Sequence, residues 1–356
     1  MLNLRYELTR LLTDYYLSSV GERYRRGRRV PPPRTVVWDC TRRCNLACVH
    51  CGATKERYAA ELTTGQIGGI IDELAALKVD MFAVTGGEPL LREDLLEVLA
   101  HARERGLKTG IATNGFLVDE AMARRIGAAG VRSVQVSLDG LESTHNAIRN
   151  HPLSFARATQ AIERLLGASV PLVSAATTVT PRNLDELEGL GEHIARLGCP
   201  LWRLTVVMPI GRAREADLLL RGEQLTALFA FVRSQRGKRP RIYIGENLPF
   251  LGTWERQIRR EPMVCPIGFL ACCIGVDGHV RGCPEQPDTA ENREGSLLEQ
   301  PFAAIWQRGF ARYRRREILV TDERCAACRD RHVCYGGCWV MREGSHHCIH
   351  ELIANR

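Results

Sequence analysis

Short apolar runs alternate with segments of helical periodicity from Arg34 to Arg233, and this alternation limits the fold more than any other feature of the chain. Strands are predicted at Thr35–Trp38, Asp80–Thr85, Lys108–Ala112, Ser133–Leu138, Leu172–Thr178 and Trp202–Met208. Helices are predicted at Thr63–Leu77, Arg92–Arg105, Asp119–Ala128, Ser154–Leu166, Leu184–Leu197 and Gly222–Arg233. Thr63 suits the cap of the first helix, and Asp185 and Glu186 suit the positive end of the fifth. Six βα units in series predict an α/β fold: a parallel sheet, open or barrel-like, with helices outside it.

The flanks read differently. Leu4, Leu8, Leu11, Leu12 and Tyr15 recur at helical spacing, so residues 1–20 form an amphipathic helix whose stripe is expected to pack on the main domain rather than on a membrane. Pro31-Pro32-Pro33 then stops regular structure. Gly237 to Met263 is basic with little periodicity and reads as a connector. From Cys265 the βα alternation ends; the cysteine- and Gly-rich remainder shows no apolar core of its own and is expected to need metal to fold. The expected organisation is a helix and basic linker (1–33), a core domain (34–236), a connector (237–262) and a tail domain (263–356).

The chain has 356 residues, 45% hydrophobic and 25% charged, which is ordinary soluble composition. No apolar stretch is long enough to span a bilayer, and Arg5 and Glu7 interrupt any signal peptide, so a cytoplasmic location is expected. Net charge is +8, with arginine runs at Arg23–Arg29 and Arg312–Arg316. Such runs are either solvated surface or a docking patch for an acidic peptide or anionic cofactor. No aromatic-interleaved or helix-turn-helix pattern accompanies them, which excludes nucleic acid as the expected partner.

Fourteen cysteines crowd into two zones, Cys40 to Cys51 and Cys265 to Cys348, with Cys199 alone between them. Clustering of this kind points to metal ligation rather than disulfides. Cys44, Cys48 and Cys51 share one short loop after the first strand. Three thiolates there can hold three irons of a four-iron cluster and leave the fourth iron open to a substrate or cofactor. A register shifted to Cys40 and Cys44 fails at Ala47, so Cys40 reads as a buried strand-end residue; Cys199, before Pro200, reads as structural too. Other polar turns fall at the same carboxyl edge of the sheet, where ligands gather in parallel α/β folds: Gly86-Gly87-Glu88-Pro89, Thr113-Asn114-Gly115, Ser137-Leu138-Asp139-Gly140 and Met208-Pro209-Ile210-Gly211.

Cys44-x3-Cys48-x2-Cys51 with Gly86-Gly87-Glu88-Pro89 resembles the radical S-adenosylmethionine (SAM) superfamily over about residues 35–235. The resemblance implies a partial (β/α)6 TIM-like barrel and a [4Fe-4S] cluster on Cys44, Cys48 and Cys51. It implies that the open iron chelates SAM, whose reductive cleavage gives a 5′-deoxyadenosyl radical that takes a hydrogen from substrate. By position, Gly86, Gly87 and Glu88 would receive the methionine amino group, with Asn114 at the next strand end. Ser137 and Asp139 would meet ribose or carboxylate, Arg149 the carboxylate, and His50 and Met208 the adenine. The implied electron donor is a flavodoxin or ferredoxin.

In the tail, Cys325-x2-Cys328-x5-Cys334-x3-Cys338, Cys348 and the upstream Cys265 and Gly278-x4-Cys283 could serve a zinc ribbon, but one zinc uses only four thiols. The pattern resembles the SPASM extension of radical SAM maturases, which implies a small cysteine-rich, cluster-stabilised C-terminal domain with two auxiliary iron–sulfur clusters. Cys325, Cys328, Cys334 and Cys348 would hold the outer cluster. Cys265, Cys283 and Cys338 would hold the inner, with Cys272 or Cys273 as a fourth ligand. The implied function is oxidative modification of a peptide or protein side chain; the alternative is a small molecule such as a tetrapyrrole precursor of haem or haem d1. Glu285, just past Cys283, is either an acid or base of that reaction or plain surface. The 33 residues before the first strand are too few for the winged leader-binding domain of many maturases, so a separate leader-binding protein or the Arg23–Arg29 run is expected to take that role.

Overall fold

The computed structural model describes residues 4–52, 60–214, 216–245, 247–248, 250–345, 348 and 353; the end of the tail segment, at 349–352 and 354–356, lies outside them. Seven strands run parallel in chain order: β1 (Thr35–Asp39), β2 (Met81–Thr85), β3 (Lys108–Thr113), β4 (Ser133–Ser137), β5 (Leu172–Val179), β6 (Leu201–Val206) and β7 (Arg241–Ile244). Three more, β8 (Ala271–Ile274), β9 (His279–Arg281) and β10 (Arg293–Ser296), extend the sheet beyond β1. The sheet ends on β7 and β10, so the barrel is partial, as expected. The helices of eight residues or more are α1 (Leu4–Arg25), α2 (Thr64–Ala76), α3 (Leu95–Glu104), α4 (Glu120–Ala128), α5 (Glu142–Arg149), α6 (Ser154–Gly167), α7 (Leu187–Arg196) and α8 (Glu223–Ser234).

Strand residues alternate in burial. Phe82 and Val84 of β2, Val134 and Val136 of β4, and Trp202 and Leu204 of β6 join one core with Ile67, Ile71, Leu99, Ile126, Ile162 and Phe229 of the surrounding helices. Their half-buried neighbours occupy the other face of the pleat. Thr63 does cap α2, in a full capping box with Gln66.

Three findings differ from the sequence reading. The stretch read as a connector contains β7, which pairs with β6. The tail, read as having no core of its own and as needing metal to fold, joins the main core: β8 pairs with β1, and Phe302, Trp306, Phe310 and Tyr313 are buried in the same cluster. The third concerns α1. Its stripe does not pack on the main domain, since Leu4, Leu8, Leu11, Leu12 and Tyr15 are all exposed. The opposite face is buried through Tyr6, Leu17, Val20 and Gly21. Polar anchors fix that choice. Tyr6 donates to Glu255 (3.2 Å), Glu7 pairs with Arg256 (2.5 Å), and the Tyr16 and Tyr24 hydroxyls donate to the Phe269 and Arg308 carbonyls (3.3 and 2.8 Å).

Candidate active site

The loop carrying Cys44, Cys48 and Cys51 leaves the carboxyl end of β1 and is gripped from three strand ends. From β2, the Gly87 N–H donates to the Thr41 carbonyl (2.7 Å) and the Glu88 N–H to the Arg43 carbonyl (2.8 Å). A Cβ on Gly87 would stand 2.2 Å from the Arg43 carbonyl oxygen, so only glycine permits this approach. After β4, the Ile148 carbonyl accepts from the Val49 N–H (2.9 Å), and the Arg149 guanidinium lies 3.7 Å from the Cys48 sulfur. After β6, Arg212 donates through Nε to the Cys48 carbonyl (2.7 Å) and through its backbone N–H to the Cys51 carbonyl (3.1 Å). Gly211 has φ +54°, and a Cβ there would lie 2.7 Å from the carbonyl oxygens of Cys51 and Gly52.

A cavity of about 880 Å³ opens over this loop. Its wall includes Cys44, Cys48, Cys51, His50, Gly86, Gly87, Asn114, Ser137 and Arg149, so most of the expected site residues converge there. Glu88, Asp139 and Met208 do not line it. Glu88 is fully buried and spent on the end of β3: its carboxylate accepts from Thr113 Oγ1 (2.7 Å) and from the N–H groups of Asn114 (2.8 Å) and Leu90 (3.2 Å). Burial raises its carboxyl, against the pull of those three donors. Asp139 lies behind the wall, 2.6 Å from Arg149 and 3.5 Å from His50. Burial pushes its carboxyl up, but Arg149, His50 and His145 outweigh that and hold it below the usual range. Desolvation lowers His50 to about 4 and so keeps it neutral. Met208 packs half-buried against the core.

The sequence reading missed several wall residues: Arg42, Arg43, Asn45, Glu61, Asn150, Thr178, Arg212 and Val276. Arg212 had the clearest signal, directly after the Met208–Gly211 run. Glu285 also lines the cavity and is exposed there.

The donor set fits the implied cluster: one loop brings three thiols to one wall, and Cys44 feels the charges of Cys48 and Cys51. Desolvation raises the Cys44 thiol first and those neighbours add to it, partly offset by the Leu46 N–H. Cys40 is buried in the core, as read, and so is Cys199. In the tail, burial and then Cys348, Cys325 and Cys328 push the Cys334 thiol up to about 12, so these four sulfurs share one neighbourhood. Cys283 is raised well above the usual range by burial, with Glu285, Cys338 and Cys265 adding, which gathers Cys265, Cys283 and Cys338. Cys272 is turned elsewhere. It is 1% exposed in the core, and its charged surroundings are Cys273, Arg314 and Glu294. Cys273 faces Arg281, Asp39 and Arg42.

An open three-thiol loop at the carboxyl edge of a partial βα barrel is the donor set of an iron–sulfur enzyme. Residues 38–194 match the radical SAM superfamily. An AdoMet-dependent heme synthase of Methanosarcina barkeri is 30% identical over 321 residues, covering 85% of this chain and 90% of that protein. The mycofactocin maturase MftC of Mycolicibacterium smegmatis is 30% identical over 325 residues, covering 90% of this chain and 81% of that one. The structure of Streptococcus suis SuiB bound to precursor peptide SuiA has the same fold, with a TM-score of 0.73 at 14% identity over 91% of this chain and 76% of that one. The chain belongs to the radical SAM superfamily and is similar to its SPASM-bearing members. Membership implies a [4Fe-4S] cluster and SAM. Among the described residues no helix is long and apolar enough to cross a membrane.

Proposed function

We propose that this enzyme oxidatively modifies a side chain of a peptide or protein substrate, as a maturase, with Cys44, Cys48 and Cys51 holding the SAM-binding cluster and the tail thiols holding two auxiliary clusters. Bound there, the first cluster and SAM supply reductive bond cleavage and hydrogen-atom abstraction. The remaining work falls to the chain. The Gly86–Gly87 backbone, Asn114, Ser137 and Arg149 orient SAM, and neutral His50 offers an uncharged face to its adenine. Asp139 acts from behind, by holding Arg149 and His50 in place.

The observation that carries the reading is that Glu285, two residues after Cys283, faces the same 880 Å³ cavity as the cluster thiols. A side chain inserted from solvent therefore meets the radical site on one wall and the tail on the other. Similarity to a maturase over 90% of the chain supports it. A tetrapyrrole carboxylate is the second reading. Arg42, Arg43, Arg149 and Arg212 on the cavity wall outnumber Glu61 and Glu285, which suits an anionic macrocycle, and a heme synthase is equally similar in identity.

The deciding experiment is anaerobic. Reconstituted enzyme with dithionite and SAM is given either a candidate precursor peptide or a tetracarboxylated iron porphyrin, and 5′-deoxyadenosine and substrate mass are followed. A mass loss of hydrogen from the peptide, coupled to 5′-deoxyadenosine, upholds the maturase reading. Turnover of the porphyrin alone overturns it.

A further inference from the structure

The exposed seam on α1 takes no part in the site. Leu4, Leu8, Leu11, Leu12 and Tyr15 are 80, 56, 57, 59 and 76% exposed, and no described residue covers them. Together they present on the order of 600 Å², as much as the largest apolar patch on a typical monomer. The helix cannot roll to hide them, because Tyr6, Glu7, Tyr16 and Tyr24 fasten its other face to the body.

We propose that this seam is a homodimer interface, in which α1 of one copy packs antiparallel against α1 of a second copy about a two-fold axis. The argument begins with spacing. Leu4, Leu8, Leu11 and Tyr15 follow one another at intervals of four, three and four residues, the a/d pattern of a coiled-coil seam. That pattern reads the same in both directions. An antiparallel copy centred between Thr9 and Arg10 sets Leu4 against Tyr15 and Leu8 against Leu11, twice each. A two-fold interface needs this self-complementarity.

Charge selects the antiparallel arrangement. Arg23, Arg25, Arg26, Arg28 and Arg29 are exposed at the C-terminal end of the same helix and just beyond it. A parallel pair would set these two runs side by side. An antiparallel pair separates them by on the order of 40 Å along the helix axis, far past the ~8–10 Å over which exposed charges interact at physiological salt. A membrane surface fits less well. Interfacial helices carry a broad apolar face flanked by basic residues, whereas the two arginines beside this seam, Arg5 and Arg10, pair with Glu261, Glu7 and Asp14, and the exposed arginine run lies at one end of the helix.

The test uses the full, cluster-loaded chain under anaerobic conditions, with mass read by light scattering and sedimentation over a wide concentration range. Wild type is expected to reach twice the chain mass as concentration rises. Leu8 and Leu11 are more than half exposed, and L8R and L11E, each alone, are expected to stay at the single-chain mass with unchanged circular dichroism. Mixed in equal amounts, they are expected to recover the doubled mass, because position 8 of one copy faces position 11 of the other. A wild type that stays single overturns the dimer. A doubled mass retained in L8R moves the interface elsewhere, and a mixture that stays single refutes the antiparallel register. Co-sedimentation of a single-chain wild type, but not of L8R, with phosphatidylserine vesicles would reassign the seam to a lipid surface.

Discussion

Acidification destabilises this protein through His145, and the size of the loss follows from the surroundings of that ring. His145 is 1% exposed. Its Nδ1 accepts the Asp139 N–H (2.8 Å), so protonation would destroy the bond that shapes the end of β4. Burial first, and then the Arg149 guanidinium, lower its pKa from the usual 6.5 to about 3. Between those values the unfolded chain binds a proton that the folded chain refuses, so stability falls as pH falls. From pH 7.5 to 5.5 the loss from this one group is about 1.4 kcal/mol. His50, lowered to about 4, acts with the same sign. His145→Gln keeps an acceptor for Asp139 and removes the titration. The assay is urea unfolding of both proteins at the two pH values; comparing them cancels any acid sensitivity of the clusters. The stability advantage of wild type over H145Q is expected to shrink by about 1.4 kcal/mol at pH 5.5. An advantage that is the same at both pH values would refute the reasoning.

Gly87→Ala forces a Cβ to within 2.2 Å of the Arg43 carbonyl oxygen; the cluster loop must shift, and 5′-deoxyadenosine formation is expected to fall by roughly 10²-fold, with retention of full rate counting against the clasp. Asp39 is 2% exposed and pairs with Arg42 (2.9 Å) and the buried Arg281 (3.1 Å). Asp39→Ala leaves those guanidiniums without their carboxylate and is expected to cost about 3–5 kcal/mol in urea unfolding. Cys334→Ala should lower anaerobically reconstituted iron from about 12 to about 8 atoms per chain while the SAM-binding cluster stays intact, and unchanged iron would remove Cys334 from the outer set.

The six βα units were legible because their strands are short, mostly apolar or β-branched runs bounded by turn residues, and because the helices between them show an apolar face. β7 was not: Arg241-Ile-Tyr-Ile is four residues long in a basic, proline-bearing stretch, and its pairing with β6 supplies what local pattern lacks. α5 escaped for a different reason. Its N-terminus has no side-chain cap of its own; Glu186, from the turn before α7, accepts the Leu141 N–H instead (2.8 Å). In the site, motif spacing brought the right cysteines together but could not give side-chain direction. Cys272 and Cys273 are neighbours on a strand, so they point to opposite faces. One enters the core beside Arg314, and the other turns toward Asp39 and Arg281. The α1 stripe has the same origin, because periodicity reveals a face without saying which face meets the body.

The site's geometry also explains why the SAM motif is spread along the chain. A loop bearing three thiols has to fix three sulfur positions, and a loop alone is too soft to do so. Here each grip comes from a different strand end, and two of them meet at Cys48: Gly87 and Glu88 hold Thr41 and Arg43, Arg149 and the Ile148 carbonyl hold Cys48 and Val49, and Gly211 and Arg212 hold Cys48, Cys51 and Gly52. Two of those grips need glycine, because the contact is backbone to backbone, and two use arginine, because a guanidinium can reach a carbonyl or a sulfur across the cavity wall. Cys44 is the most exposed of the three, and its sulfur accepts from the Leu46 N–H (3.5 Å). The backbone around Cys48 and Cys51 is therefore held by the barrel itself, through contacts that need no bound group.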